Sequence, residues 1–196
     1  MITVRQIERH WKAKAYDKLM GDLLVARPEA SLRLGIDLNA PLPAAALALI
    51  RLDELTQSHV KLYSTLLKRV LGAQEADGGW GDLVTTALCL RALMCGNGSG
   101  VAIERGLKYL ADLQKSEGIW PNVPIRRMPA DPYVSVLILY QLADQPRFRN
   151  AVRLADAVEW FAANEDSLDC DTRNLWNRTR SRCRLAAAAR LEPSLC

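Results

Sequence analysis

Two kinds of apolar pattern take turns along this chain, and both have helical spacing. In the first kind, apolar residues recur every three or four positions with charges between them. It covers 4–26 (Ile7, Trp11, Ala15, Tyr16, Leu19, Leu23), 58–73 (Val60, Tyr63, Leu66, Leu67, Val70, Leu71), 101–115 and 147–164. Such segments predict helices that lay one face on a core and turn the other to water. In the second kind the segment is apolar nearly all round, as in 44–55, 83–94 and 132–142. A run as short as 132–142 also suits a buried strand, but its register with 83–94 places it as a helix. An eighth helix, 174–191, carries Leu175, Trp176, Thr179, Cys183, Ala186 and Ala187 as a stripe.

Breakers separate these segments. Pro28 ends the first helix, and Gly35, Asn39 and Pro41 make 29–42 a loop. Pro43 suits the first turn of the second helix, and Ser58 is a candidate N-cap for the third. The run Cys95-Gly96-Asn97-Gly98-Ser99-Gly100 stops the fourth. The result is four helical hairpins, each pairing a one-sided helix with a more fully apolar one. Burial alone puts the one-sided helices outside and the apolar ones inside, so the chain is predicted to be all-α. The expected form is a curved two-layer αα-hairpin array of about eight helices, in one domain spanning 1–196.

A short motif recurs on this frame. Gln74-Glu75-Ala76-Asp77-Gly78-Gly79-Trp80 returns as Gln114-Lys115-Ser116-Glu117-Gly118-Ile119-Trp120, at an offset of 40 residues. A fixed period of roughly 20–50 residues marks units that bury their apolar faces only against their neighbours. The repeats are clearest over 58–95 and 101–142. Each part of the motif has a structural use: Gln can satisfy carbonyls at a helix end, the acid and Gly shape a turn, and Trp covers apolar surface while offering an N–H. In a third, degraded copy Asn164 takes the Gln position, Leu168 the Gly position and Cys170 the Trp position, as expected of a terminal unit.

With the amphipathic helices that precede them, these two segments resemble the QW repeats of squalene-hopene and oxidosqualene cyclases and, more loosely, the repeats of protein prenyltransferase β subunits. The resemblance implies an α/α toroid of outer and inner helices acting on isoprenoid chains, with an apolar groove lined by Leu88, Leu137 and Tyr140. Cyclases of that kind protonate their substrate from a D-x-D-D motif at the start of an inner helix. The counterpart here is Asp169-Cys170-Asp171-Thr172, in which Thr172 replaces the third aspartate. On that carry-over Asp171 is the proton donor, and its carboxyl needs an apolar or hydrogen-bonded setting to stay protonated. The competing reading is that Asp171 or Thr172 caps the helix starting near Asn174. The prenyltransferases share an Asp/Cys/His zinc site, whereas this chain has only His10 and His59, neither at ligand spacing from a cysteine. No metal or cofactor is expected.

Composition narrows the classes further. Hydrophobic residues make up 49% and charged ones 24%, a soluble globular balance, and 6% aromatics disfavours a β-rich sandwich or barrel. Five scattered cysteines without a CxxC pair indicate neither a disulfide framework nor a zinc cluster, so a reducing cytoplasm is the expected home. The first twenty residues lack the apolar core of a secretory signal, and no run reaches the roughly 18 apolar residues of a membrane span.

The net charge of +4 hides a sharp asymmetry. Residues 136–171 carry −4 and residues 172–196 carry +5, from six arginines and Glu192. Arg173, Arg180 and Arg184 share a face of this basic terminal helix, with Arg178 and Arg182 alongside. They suit a phosphate group or, as a solvated face, the nearby Glu165, Asp166 and Asp169. Without interleaved aromatics, nucleic acid is not the expected partner. Two functions stay open: an isoprenoid-binding relative of the terpene cyclases, and a non-catalytic αα-repeat module that binds protein. Four hairpins are fewer than a closed toroid of that family holds, so capping, a protein partner or a homo-oligomer is expected at the ends.

Overall fold

This computed structural model describes residues 42–96 and 98–188, with side chains through 183. The segments 4–26 and 29–41 lie outside the described residues, as does the end of the basic helix beyond 188. Eight α-helices carry the fold: α1 (Leu42–Glu54), α2 (Lys61–Gly72), α3 (Leu83–Cys95), α4 (Gly100–Leu113), α5 (Pro132–Leu142), α6 (Pro146–Ala151), α7 (Leu154–Ala163) and α8 (Cys170–Ala188). A single 3₁₀ turn, Glu165–Ser167, precedes α8. The only pairing of β type among the described residues is an isolated bridge between Pro121 and Ala130.

The helices sort into the two layers that their patterning demands. The helices α1, α3, α5 and α8 pack side by side in that order, while α2 lies on α1, α4 on α3 and α7 on α8. In α3, Leu83, Thr85 to Leu90, Ala92 and Leu93 are buried, and in α5 everything from Val134 to Leu139 is buried. An all-round apolar helix is stable only in such a position, with neighbours on several sides. The outer helices α2 and α4 bury one stripe each: Tyr63, Leu66 and Val70, and Ala102, Ile103, Gly106, Leu107, Tyr109 and Leu110.

Three expectations are corrected. Helix α2 begins at Lys61 with Val60 in the cap position and no side-chain cap, so Ser58 is not its N-cap. The predicted helix 147–164 is broken into α6 and α7, because the Arg153 N–H donates to Gln114 Oε1 at 2.9 Å. Its carbonyl in turn accepts from Gln114 Nε2 at 3.1 Å. With its N–H held by that amide, Arg153 does not continue the ladder of α6 and instead opens α7, its carbonyl also accepting from the Ala157 N–H at 3.4 Å. Finally, α8 starts at Cys170 rather than near Asn174, because Asp169 caps it.

Candidate functional site

The inner helices α3, α5 and α8 all start on an aspartate. Asp82 Oδ1 accepts from the Thr85 N–H at 2.8 Å, and Asp82 Oδ2 from the Thr85 hydroxyl at 2.7 Å. Asp131 Oδ1 accepts from the Tyr133 and Val134 amides at 2.9 and 3.1 Å. Asp169 Oδ1 accepts from the Asp171 and Thr172 amides at 3.0 and 3.1 Å, and its Oδ2 from the Thr172 hydroxyl at 2.7 Å. Each cap satisfies amides that a helix start leaves without partners. Asp169 and Thr172 therefore repeat Asp82 and Thr85, atom for atom.

This places the residues that the sequence singled out for chemistry. The capping residue is Asp169, not Asp171 or Thr172. Asp171 lies two residues past the cap, where α3 has Val84 and α5 has Tyr133, and it is exposed. That surface position lacks the apolar enclosure expected of a protonated donor. Leu88 and Leu137 sit in the buried interior of α3 and α5. Tyr140 is half-buried, with the Arg182 guanidinium 4.4 Å above its ring and Arg182 Nη1 donating to its carbonyl at 2.7 Å. His59 is exposed, and His10 lies outside the described residues. Among the described residues, no three His, Cys, Asp or Glu side chains gather as a metal ion requires.

Three arginines of α8 serve the fold. Arg173 donates to the carbonyls of Glu165, Asp166 and Leu168, Arg180 lies 3.5 Å from Glu165, and Arg182 holds α5. At the far end of α3, Arg91 Nη1 donates to the Gln141 carbonyl at 2.8 Å. The C-terminal carbonyls of α5 are thus gripped from both flanking inner helices, by cations placed where the helix dipole favours them. The Arg184 side chain lies outside the described part.

The two Gln-to-Trp loops share one set of bonds. Gln74 Nε2 donates to the Gly78 carbonyl and to Ala102 of α4, both at 2.9 Å. Gln114 Nε2 donates likewise to Gly118 at 2.7 Å and to Arg153, the residue before α7. In both loops the indole, rather than the Gln, takes up a carbonyl near the end of the preceding outer helix. Trp80 Nε1 donates to Val70 and Trp120 Nε1 to Leu110, each at 2.7 Å. The backbone N–H of each Trp donates to the inner helix, to the Thr86 hydroxyl at 2.9 Å and the Ser135 hydroxyl at 2.8 Å. One motif thereby joins its own outer helix, its own inner helix and the next outer helix.

Glycine is required where these loops turn. Gly78 and Gly118 have φ of +98° and +86°, and a Cβ there would meet the Arg105 carbonyl oxygen at 2.6 Å or the Ala157 nitrogen at 2.5 Å. Gly79 admits the ring of Tyr109, whose hydroxyl is pushed up to about 12 first by burial and then by Asp77, Glu75 and Asp82. Two arginines missed by the pattern clasp the loops from the following hairpin. Arg105 donates to the Glu75 and Ala76 carbonyls at 2.8 and 3.1 Å, and Arg153 to those of Lys115 and Ser116. Loop carbonyls leave no sequence pattern of their own, so nothing on the page of letters marked these two.

The degraded third copy is a different loop. Leu168 is extended at φ −71° where Gly78 and Gly118 are left-handed, and Cys170 is the exposed first residue of α8. Asn164 Nδ2 turns back to the Trp160 carbonyl of its own helix at 2.8 Å. The missing loop indole has a substitute on the inner helix, where Trp176 stacks on Phe161 of α7 at 4.7 Å between centroids.

Burial pushes the Cys89 thiol up, with Asp82 adding to it, and pushes Cys183 up to about 11, so both are thiols at neutral pH. No helix among the described residues is long and apolar enough to cross a membrane. No protein-family model, no curated protein and no solved structure matches this chain.

Proposed function

We propose that this chain is a non-catalytic αα-hairpin module that binds protein. The observation that carries this reading is the Asp169 cap. Both carboxylate oxygens of Asp169 are engaged in starting α8, in the same arrangement by which Asp82 starts α3 with a valine two residues on. The aspartate pair that suggests a proton donor is accounted for by a helix start and one surface acid. Gln74, Gln114, Arg105 and Arg153 bond hairpin to hairpin. Fold kinship alone confers no reaction.

A second reading keeps an isoprenoid or similar apolar ligand without chemistry. One observation favours it: Val84 and Tyr133, at the position of Asp171 on the neighbouring inner helices, are only half-buried and give that end an apolar rim. Incubating the purified chain with squalene, oxidosqualene and a linear prenyl diphosphate, then extracting both solution and protein, separates the readings. The expected result is unchanged substrate and none retained. Retained squalene moves the conclusion to the second reading. A cyclised product that disappears in Asp171→Asn overturns both and restores a cyclase.

A further inference from the structure

The two Gln-to-Trp loops differ in one large respect. Asp82 follows Trp80 by two residues, whereas Asp131 follows Trp120 by eleven. The extra chain, 121–130, is built rather than slack. Its base is closed by the Pro121–Ala130 bridge and by the Asp131 N–H donating to Trp120 at 2.8 Å. Its middle is propped by Lys115, whose Nζ donates to the Arg126 and Met128 carbonyls at 3.1 and 2.8 Å. The short loop has Glu75 at the position of Lys115. The prop is therefore present where the long loop is.

What this loop holds up is exposed. Ile125 is 45% accessible, and Arg126 and Arg127 beside it are exposed. No ion pair among the described residues involves either arginine. The loop is ordered and presents an apolar side chain between prolines beside two arginines that make no ion pair among the described residues, and repeat proteins place their insertions on a binding face.

The same end of the array carries the complementary charge. Because Asp131 caps α5 and Asp169 caps α8, and these helices pack along each other with Arg182 reaching the last turn of α5, both helices start at the same end. The loop 121–130 and the turn 164–169 therefore open on one end. Within 154–171 Glu165 pairs with Arg180 and Asp156 with Arg153, whereas Glu159 and Asp166 are exposed acids with no ion pair among the described residues; 121–130 has two arginines and no acid. Two such patches on one end fit a two-fold axis, each copy's loop meeting the other's acidic turn.

We infer that this chain pairs with a second copy of itself, through Ile125, Arg126 and Arg127 of one protomer against the acidic 159–166 segment of the other. This rests on the reading of the chain as a protein-binding module and names its partner. Native mass spectrometry and light scattering on the full chain test it. A species at twice the 21.8 kDa protomer mass is expected, weakening as ionic strength rises from about 0.1 to about 1 M and the Debye length falls from about 10 to about 3 Å.

Reversing Arg126→Glu with Arg127→Glu, or Glu159→Arg with Asp166→Arg, is expected to weaken pairing by about a hundredfold through like-charge contact. Combining all four restores it. Ile125→Asp gives an independent loss, and helical circular dichroism confirms that each variant folds. A wild-type monomer at every concentration overturns the inference, as does a dimer indifferent to these reversals, or a four-fold variant that stays monomeric. If the wild type is monomeric and an acidic protein binds the loop instead, self-pairing fails while the module reading stands. Cyclised isoprenoid product sinks the module reading without bearing on the dimer.

Discussion

The second and third connections from outer to inner helix solve the same problem in opposite directions. After α4, Gln114 reaches forward to both backbone groups of Arg153, and Arg153 reaches back to the carbonyls of Lys115 and Ser116. After α7, Asn164 turns back on its own helix, and the clasp on the loop carbonyls comes from Arg173 of α8 in the same hairpin. One loop is a joint to the next unit, and the other is a closure. The difference teaches what the motif is for: the long amide and the left-handed glycine exist to attach a following hairpin. Where the described array ends, both are replaced. A stack of repeats needs such a terminal unit to keep its edge bonds satisfied.

The joints can be broken selectively. The largest effect is expected from the indoles. Trp120→Ala should cost about 3–5 kcal/mol of unfolding free energy in urea titrations. It should exceed Trp80→Ala by about 0.5–1.5 kcal/mol, because Trp120 also stacks on Phe148. Equal losses would mean that the α6 contact adds nothing. Next come the glycines. Gly118→Ala meets the Ala157 backbone as well as a left-handed φ, whereas Gly81→Ala meets φ alone, with no atom nearer than 3.8 Å. The first should lose about 3 kcal/mol and the second about 1.

Gln114→Ala should follow at about 1–3 kcal/mol, ahead of Gln74→Ala. The buried Gln114 amide has three bonds to lose and leaves the Arg153 N–H without its partner, whereas half-buried Gln74 has two. The smallest contrast is one of pH. Tyr109 rests on Gly79 of the first loop, its hydroxyl raised from 10.0 to about 12, while the second loop has Ile119 in place of that glycine. Keeping that hydroxyl neutral contributes stability fully present below pH 10 and lost as pH climbs from 10 towards about 12. Alkaline loosening should therefore start at 74–82, and Tyr109→Phe should abolish that part of it. Loosening that began equally at 114–131 would contradict the assignment.

Much of the architecture was legible because helices declare themselves through periodicity. The bounds 132–142 came out of the apolar run unchanged, since Asp131 with Pro132 starts the helix plainly. The break at Arg153 did not, because its cause is an amide 39 residues earlier in the chain. Local patterning carries no trace of such a bond. The same distance hid Arg105, whose partners are carbonyls. At α8 the aspartates were found but given the wrong division of labour. A cap is defined by which residue stays extended before the helix, and a stretch as polar as 169–174 offers several candidates. The residue types of the Gln-to-Trp motif suggest capping and packing, but they assign the carbonyls of the preceding helix to Gln, where the indole donates instead.

Amide hydrogen exchange on Gln114→Ala tests most directly whether the motif is a joint. If Gln114 anchors the next hairpin, the amides from 153 to 157 should exchange faster than in the wild type, with α2 and α3 unchanged. Acceleration confined to 114–120, with 153–157 still protected, would show that the glutamine shapes only its own loop. The joint between hairpins would then have to lie elsewhere.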